Sequence, residues 1–221
     1  EKKSREEKNR YYYNNILYKV FAMAKINAYE AEDLAAHLFG KGILSLLIHL
    51  EFMDSFFDIH EEEFIRCAET YLGREFHYIE LYPNEACILM SSRKLPQKKE
   101  LAEQLGKVFR DIRNDSSEDN QSLVIVSRTV STVEELLTQQ ERISHIQDEV
   151  FGYHDKIIFV EDYYTNAEHY VKDIEVIGAE LREAVDTLDA ELIGKENRKL
   201  VKAIEESGQT SRIYIQNMLY S

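Results

Sequence analysis

The residues whose type and spacing come nearest to chemistry are three acids at and beyond the end of the first long apolar run, Glu51, Asp54 and Asp58. Carboxylates placed there are the usual ligands of Mg²⁺ in polymerase- and cyclase-type sites, where hard oxygen donors hold the cation against phosphate charge. The chain carries 41 Asp and Glu residues, however, so a solvated acidic loop is the commoner origin of such a group. The run Glu61-Glu62-Glu63 suits the first turn of a helix, where negative charge opposes the helix dipole. The seven histidines, His37, His49, His60, His77, His145, His154 and His169, include no pair at i, i+4 around an acid, and none stands at zinc-ligand spacing from Cys67 or Cys87. No metal site and no cofactor are therefore expected. Both cysteines have apolar neighbours and read as small buried thiols, a pattern that fits a reducing cytoplasm better than a disulfide framework. There is no glycine-rich phosphate loop and no Gly-x-Ser-x-Gly elbow, so the chain is expected not to be an enzyme. Tyr11, Tyr12 and Tyr13 could stack on a ligand, but amphipathic aromatics at a helix contact are more common.

Composition narrows the partners. A net charge of -14 over 221 residues repels a phosphate backbone, so this segment is not expected to contact nucleic acid directly. The longest apolar run, Ile43 to Leu50, is interrupted by Ser45 and His49 and is too short to cross a bilayer, so no membrane association is expected. With 44% hydrophobic residues the chain has the material for a packed core, and only 8 glycines and 2 prolines favour long helices over a turn-rich all-β fold. The chain begins at Glu1 without an initiator Met, which fits a segment excised from a longer protein or a processed terminus.

The elements that would position these residues follow from periodicity. Tyr13, Ile16, Leu17, Val20 and Met23 form one apolar stripe at helical spacing, open to two readings: this chain's own core, or the same helix of a second copy in a short coiled coil. Asn27 with Glu30 predicts a capping box that opens a short helix closed by Gly40 and Gly42. Residues 42–52 read as a buried central strand and His60 to Leu72 as a helix. Phe76 to Tyr82, the turn Pro83-Asn84, and Glu85 to Ser91 predict a β-hairpin. Pro96 then opens a helix through Ile112, and residues 114–120 form a polar loop. A strand over Ser122 to Val130 is followed by a helix capped by Ser131 and Glu134 and ended by Gly152, then by a strand over Lys156 to Glu161. From Asn166 the pattern is helical, with Gly194 and Gly208 as breaks.

Between Gly42 and Asp162 this order of elements resembles a degenerate GGDEF-type cyclase domain, of the kind lying centrally in AraC/YesN-type two-component response regulators. Leu123 to Leu136 resembles their strand-turn-helix, and Lys156 to Tyr163 their last strand. In active members the hairpin turn carries Gly-Gly-Asp/Glu-Glu-Phe; here Tyr82, Pro83, Asn84, Glu85 and Ala86 occupy it, and only Glu85 matches. Where active members end the first strand in Asp-x-Asp, this chain has Glu51-Phe52-Met53. The resemblance implies an α+β fold with a ferredoxin-like antiparallel sheet, helices on one or both faces, and flanking N- and C-terminal helices. It implies no cyclase activity, because side chains at the glycine positions would block close approach by a nucleotide.

The expected organisation is an N-terminal helical or coiled-coil segment over 1–41, the α/β domain over 42–163 and a C-terminal helical segment over 164–221. The expected role is a non-catalytic, homodimeric signal-transmission module of a cytoplasmic transcription regulator, linked in one full-length chain to a phosphorylatable receiver and a helix-turn-helix DNA-binding domain. Tyr13, Ile16, Leu17, Val20 and Met23 are the expected dimer interface. A small-molecule sensor is the alternative, and a residual nucleotide cyclase or GTP-binding domain a further one.

Overall fold

The computed structural model describes residues 2–23, 25–52, 55–73, 75–115, 122–150, 156–164, 177, 180–188 and 190–207. They form α1 (Lys2–Met23), α2 (Ala28–Leu38), a 3₁₀ turn (Gly40–Gly42), β1 (Leu44–Phe52), α3 (Phe56–Leu72), β2 (Phe76–Tyr82), β3 (Glu85–Ser92), α4 (Lys98–Asp115), β4 (Ser122–Val126), α5 (Val133–Glu149), β5 (Lys156–Phe159) and α6 (Ala190–Ser207). The chain divides into two compact units, Glu1–Ser144 with Tyr153–Phe159, and His145–Gly152 with Val160–Ser221. The two N-terminal helices thus belong to the same unit as the sheet.

The first unit is an α+β structure around an open five-stranded sheet of order β2-β3-β1-β4-β5. β1 pairs antiparallel with β3 on one side and β4 on the other, and β2 pairs antiparallel with β3. β5 departs from the antiparallel expectation: it runs parallel to β4, so the sheet is mixed. The reason is the connection. A helix lies between β4 and β5, and a strand-helix-strand crossover returns the chain in its original direction, whereas a tight hairpin reverses it.

Strand periodicity sorts the side chains onto two faces. Leu46, Ile48, Leu50 and Phe52 of β1 join Ala86, Ile88 and Met90 of β3 and Val124 and Val126 of β4 in one cluster, covered by Phe57, Phe64 and Ala68 of α3 and Leu101, Leu105 and Val108 of α4. The alternate positions Leu47, His49, Cys87, Leu89 and Ile125 are equally buried but lie outside that cluster. Helices therefore cover both faces. On the second face, the Asn14 side-chain amide of α1 donates to the Tyr78 carbonyl of β2 at 3.4 Å, and Gln140 Nε2 of α5 donates to the Phe21 carbonyl of α1 at 2.9 Å.

The α1 stripe resolves toward the chain's own core. Ile16, Leu17 and Val20 are at most 2% exposed, Tyr13 is half-buried, and Met23 is 60% exposed. A helix laid on a sheet edge uses its apolar face internally, and Ile16, Leu17 and Val20 pack into this chain's own core.

Several local signals form as predicted. Asn27 Oδ1 accepts from Glu30 N–H at 2.9 Å while Glu30 Oε2 accepts from Asn27 N–H at 3.2 Å, the reciprocal capping box. Gly42 follows at φ +76, a left-handed conformation that glycine adopts without strain. Cys67 and Cys87 are both buried.

Other boundaries shift. α3 starts at Phe56, so Glu61-Glu62-Glu63 sit past its first turn. α4 starts at Lys98, where Leu101 N–H bonds the Gln97 carbonyl at 2.9 Å, leaving Pro96 just ahead of it, and runs on through Asn114 and Asp115, the first residues of the expected polar loop. β4 ends at Val126, and Val130 makes only an isolated bridge to Ser45. The α5 cap is one residue on from the expected pair: Glu135 N–H donates to Thr132 Oγ1 at 3.2 Å, and Glu135 Oε2 accepts from Ser131 N–H. β5 ends at Phe159, and residues 160–164 are helical. Gly194 lies inside α6 and breaks nothing. Gly152, Asn166, Gly208 and residues 116–120 of the predicted loop lie outside the described residues. No described helix is long and apolar enough to cross a membrane.

Because Leu17 is fully buried and Met23 is not, Leu17→Ala should lower the unfolding free energy by about 2–5 kcal/mol through lost burial and a residual cavity. Met23→Ala should change it by under about 0.5 kcal/mol. Urea denaturation of the two variants checks the pair.

Candidate functional site

The hairpin turn is the element on which nucleotide chemistry would depend, and its backbone is engaged within the protein. Pro83 fixes the backbone angle suited to the first central position of a common turn, and neither Pro83 nor Asn84 has a positive φ. An irregularity in the β2–β3 register between Glu80 and Tyr82 lies beside the turn, where a bulge adds local twist. The turn folds back on the end of β1. Phe52 N–H donates to the Asn84 carbonyl at 2.9 Å, and Asn84 Nδ2 donates to the Phe52 carbonyl at 3.2 Å.

The same turn closes the start of α3. Ser55 at the N-cap makes no side-chain capping bond, and the Pro83 carbonyl instead takes the Phe57 N–H at 2.9 Å. That amide is one of the helix-terminal donors otherwise free to bind an anion. Beneath it, Phe52 and Phe56 stack with ring centres 3.9 Å apart, and Phe57 meets Phe64 edge-on at 5.4 Å. Tyr82 and Pro83 stay exposed, Asn84 and Glu85 are half-buried, and Ala86 is fully buried.

Glu51 is half-buried on β1, Asp58 is exposed in the first turn of α3, and Asp54 lies outside the described residues. Glu51 stands opposite Glu85 across the β1–β3 pair. Among the described residues, no group of three or more His, Cys, Asp or Glu side chains is placed to hold a metal ion.

What the tertiary structure does assemble is a row of buried Cys87, buried His49 and half-buried Glu85. Strand register puts His49 directly opposite Cys87. The Cys87 Sγ lies 3.4 Å from His49 Nδ1, and His49 Nε2 lies 3.3 Å from Glu85 Oε1. A carboxylate only accepts, so Nε2 carries the proton and Nδ1 accepts from the thiol. The order matches a Cys-His-acid nucleophile triad, but the setting does not. Cys87 and His49 are both 0% exposed. Burial pushes the thiol well above its usual range, with the Glu85 charge adding to it, and no substrate reaches the sulfur. Burial also pushes the His49 imidazole down to about 4. The row serves to satisfy polar groups inside the sheet. Its sequence signal was a lone histidine in an apolar strand, which by itself names no partner.

An open groove of about 530 Å³ lies at the far end of β3, between Leu72 and Gly73 of the α3 end and Gln104 of α4, with Lys94 and Glu100 on its walls. The Gln104 Oε1 is buried there and finds no hydrogen-bond partner among the described residues.

The His49 environment fixes a pH response. Above about pH 6.5 the imidazole is neutral in folded and unfolded chains alike; below that, the unfolded chain takes up a proton that the folded one refuses until about pH 4. Stability is therefore lost as pH falls through this window, by about 3 kcal/mol from this one group. Urea unfolding from pH 7 to pH 4 should show a shallower decline for His49→Gln than for wild type. No protein-family model matches the chain, and no curated protein is significantly similar to it.

Proposed function

We propose that this chain is a non-catalytic signal-transmission module built on a degenerate GGDEF-like, ferredoxin-like scaffold, placed between the receiver and DNA-binding domains of a two-component response regulator. The observation that carries the proposal is the hairpin turn. Its backbone is hydrogen-bonded into the end of β1 and the first turn of α3, where a cyclase of this type would need open backbone to receive a nucleotide. The strand order β2-β3-β1-β4, antiparallel throughout, supports the ferredoxin-like part of the reading, with β5 added beside β4.

In this reading α1 is the input. It lies on β2 and is bonded to α5 through Gln140 and the Phe21 carbonyl, so a displacement of α1 by an upstream domain would be felt by the sheet edge and by α5 together. Homodimerisation is part of the proposal. Because Ile16, Leu17 and Val20 are taken up inside the chain, its interface has to lie on the outward side of α1, where Tyr11 and Met23 are exposed.

The small-molecule sensor is a second reading. It is favoured by the groove at the end of β3, whose volume of about 530 Å³ suits a small ligand and whose buried Gln104 Oε1 has no donor among the described residues.

Titration with GTP and Mg²⁺ should give neither turnover nor a rise in melting temperature; a cyclic dinucleotide product would overturn the non-catalytic reading. Sedimentation equilibrium should show a concentration-dependent dimer that Tyr11→Arg with Met23→Lys shifts to monomer, and a wild-type monomer at high concentration would remove the dimer from the proposal.

A further inference from the structure

A pair of histidines meets where α1, α2 and β2 converge. His37 comes from the last turn of α2 and His77 from β2, and their Nε2 atoms lie 3.3 Å apart. Each ring is held from behind. The Tyr13 ring stacks on His37 with centres 3.6 Å apart and planes 5° from parallel. Asn14 Nδ2 donates to the Tyr78 carbonyl, which fixes the amide orientation and leaves Oδ1 facing His77 Nδ1 at 2.9 Å. Asn14 Oδ1 can only accept, so His77 carries its proton on Nδ1 and presents a bare lone pair at Nε2.

This arrangement has the parts of a metal-ligating pair. Two imidazole nitrogens each about 2.0–2.1 Å from a tetrahedral zinc lie about 3.3 Å from one another, whereas at the 90° angle of a square-planar Cu²⁺ site they lie about 2.9 Å apart. A ligating histidine characteristically donates its other N–H to an oxygen acceptor that sets tautomer and ring direction, and Asn14 is such an acceptor. His37 has only to carry its proton on Nδ1 for both Nε2 lone pairs to face one ion.

The pair opens into a groove of about 510 Å³ lined also by Asn9, Arg10 and Glu75. Arg10 opposes a cation there. Glu75 is exposed on the groove wall and brings the opposite charge. We propose that His37 and His77 are the protein ligands of a Zn²⁺ site, its remaining positions filled by water or by an anionic group entering the groove. Nothing in this depends on the signalling role.

The full chain is titrated with Zn²⁺ in competition with a chromophoric chelator at pH 7.5. One zinc per chain is expected, with affinity reduced at least about tenfold by His77→Gln and by His37→Gln, and about 10- to 100-fold by Asn14→Leu, which touches no metal. His60→Gln, remote from the pair, should bind as wild type. Far-UV circular dichroism on each variant establishes that it is folded, and His37, being exposed, is the substitution least able to perturb the fold. Bound zinc should also raise the melting temperature of wild type but not of His37→Gln. Absence of stoichiometric uptake by wild type at millimolar zinc, or a folded His37→Gln that binds as well as wild type, would overturn the site.

Discussion

Burial of β1 on both of its faces constrains most of what surrounds it. The strand lies between β3 and β4, its even-numbered side chains packed under α3 and α4 and its odd-numbered ones on the opposite face. A strand so placed cannot leave a polar group without a partner, since an unsatisfied buried donor or acceptor costs about 1–3 kcal/mol. Each polar position on it is accordingly met. Ser45 Oγ lies 2.8 Å from Ser91 Oγ, Leu47 N–H donates to Ser127 Oγ at 2.9 Å, and His49 sits between Cys87 and Glu85. These contacts come from β3 and from the segment after β4, so they pin the register of the central three strands.

The hairpin turn extends the same logic to the end of the sheet. Its carbonyls and the Asn84 amide answer the backbone groups of Phe52 and Phe57 that would otherwise end the strand and begin the helix unpaired. Packing and chemistry compete for that backbone. A turn that caps its neighbours gives up the open amides that an anion would use, and here the capping contacts are the ones formed.

Two histidines from different strands of one sheet show how far environment decides role. His49 on β1 is sealed between strands, and its neutral ring bridges thiol and carboxylate. His77 on β2, the edge strand, meets the groove with one nitrogen fixed by Asn14 and the other turned toward His37. Neither is marked by its immediate sequence neighbours, and burial depresses both. What separates them is access: an edge strand leaves room for a ligand, and a central one does not.

Local chemistry was legible from the residues alone. The Phe76–Tyr82 and Glu85–Ser92 hairpin, the Asn27–Glu30 capping box, the largely apolar run of β1 and the buried thiols all depend on neighbours a few positions away, and periodicity or side-chain reach specifies them. Tertiary structure decided the rest. An apolar stripe such as Ile16, Leu17 and Val20 requires a partner but cannot say which, and the sheet edge took it. The parallel sense of β5 follows from a crossover rather than from any residue in the strand. His37 meets His77 across forty positions because the fold brings the end of α2 against β2, and His49 meets Cys87 because register places them opposite. Such meetings depend on topology and strand alignment, which spacing along one chain does not encode.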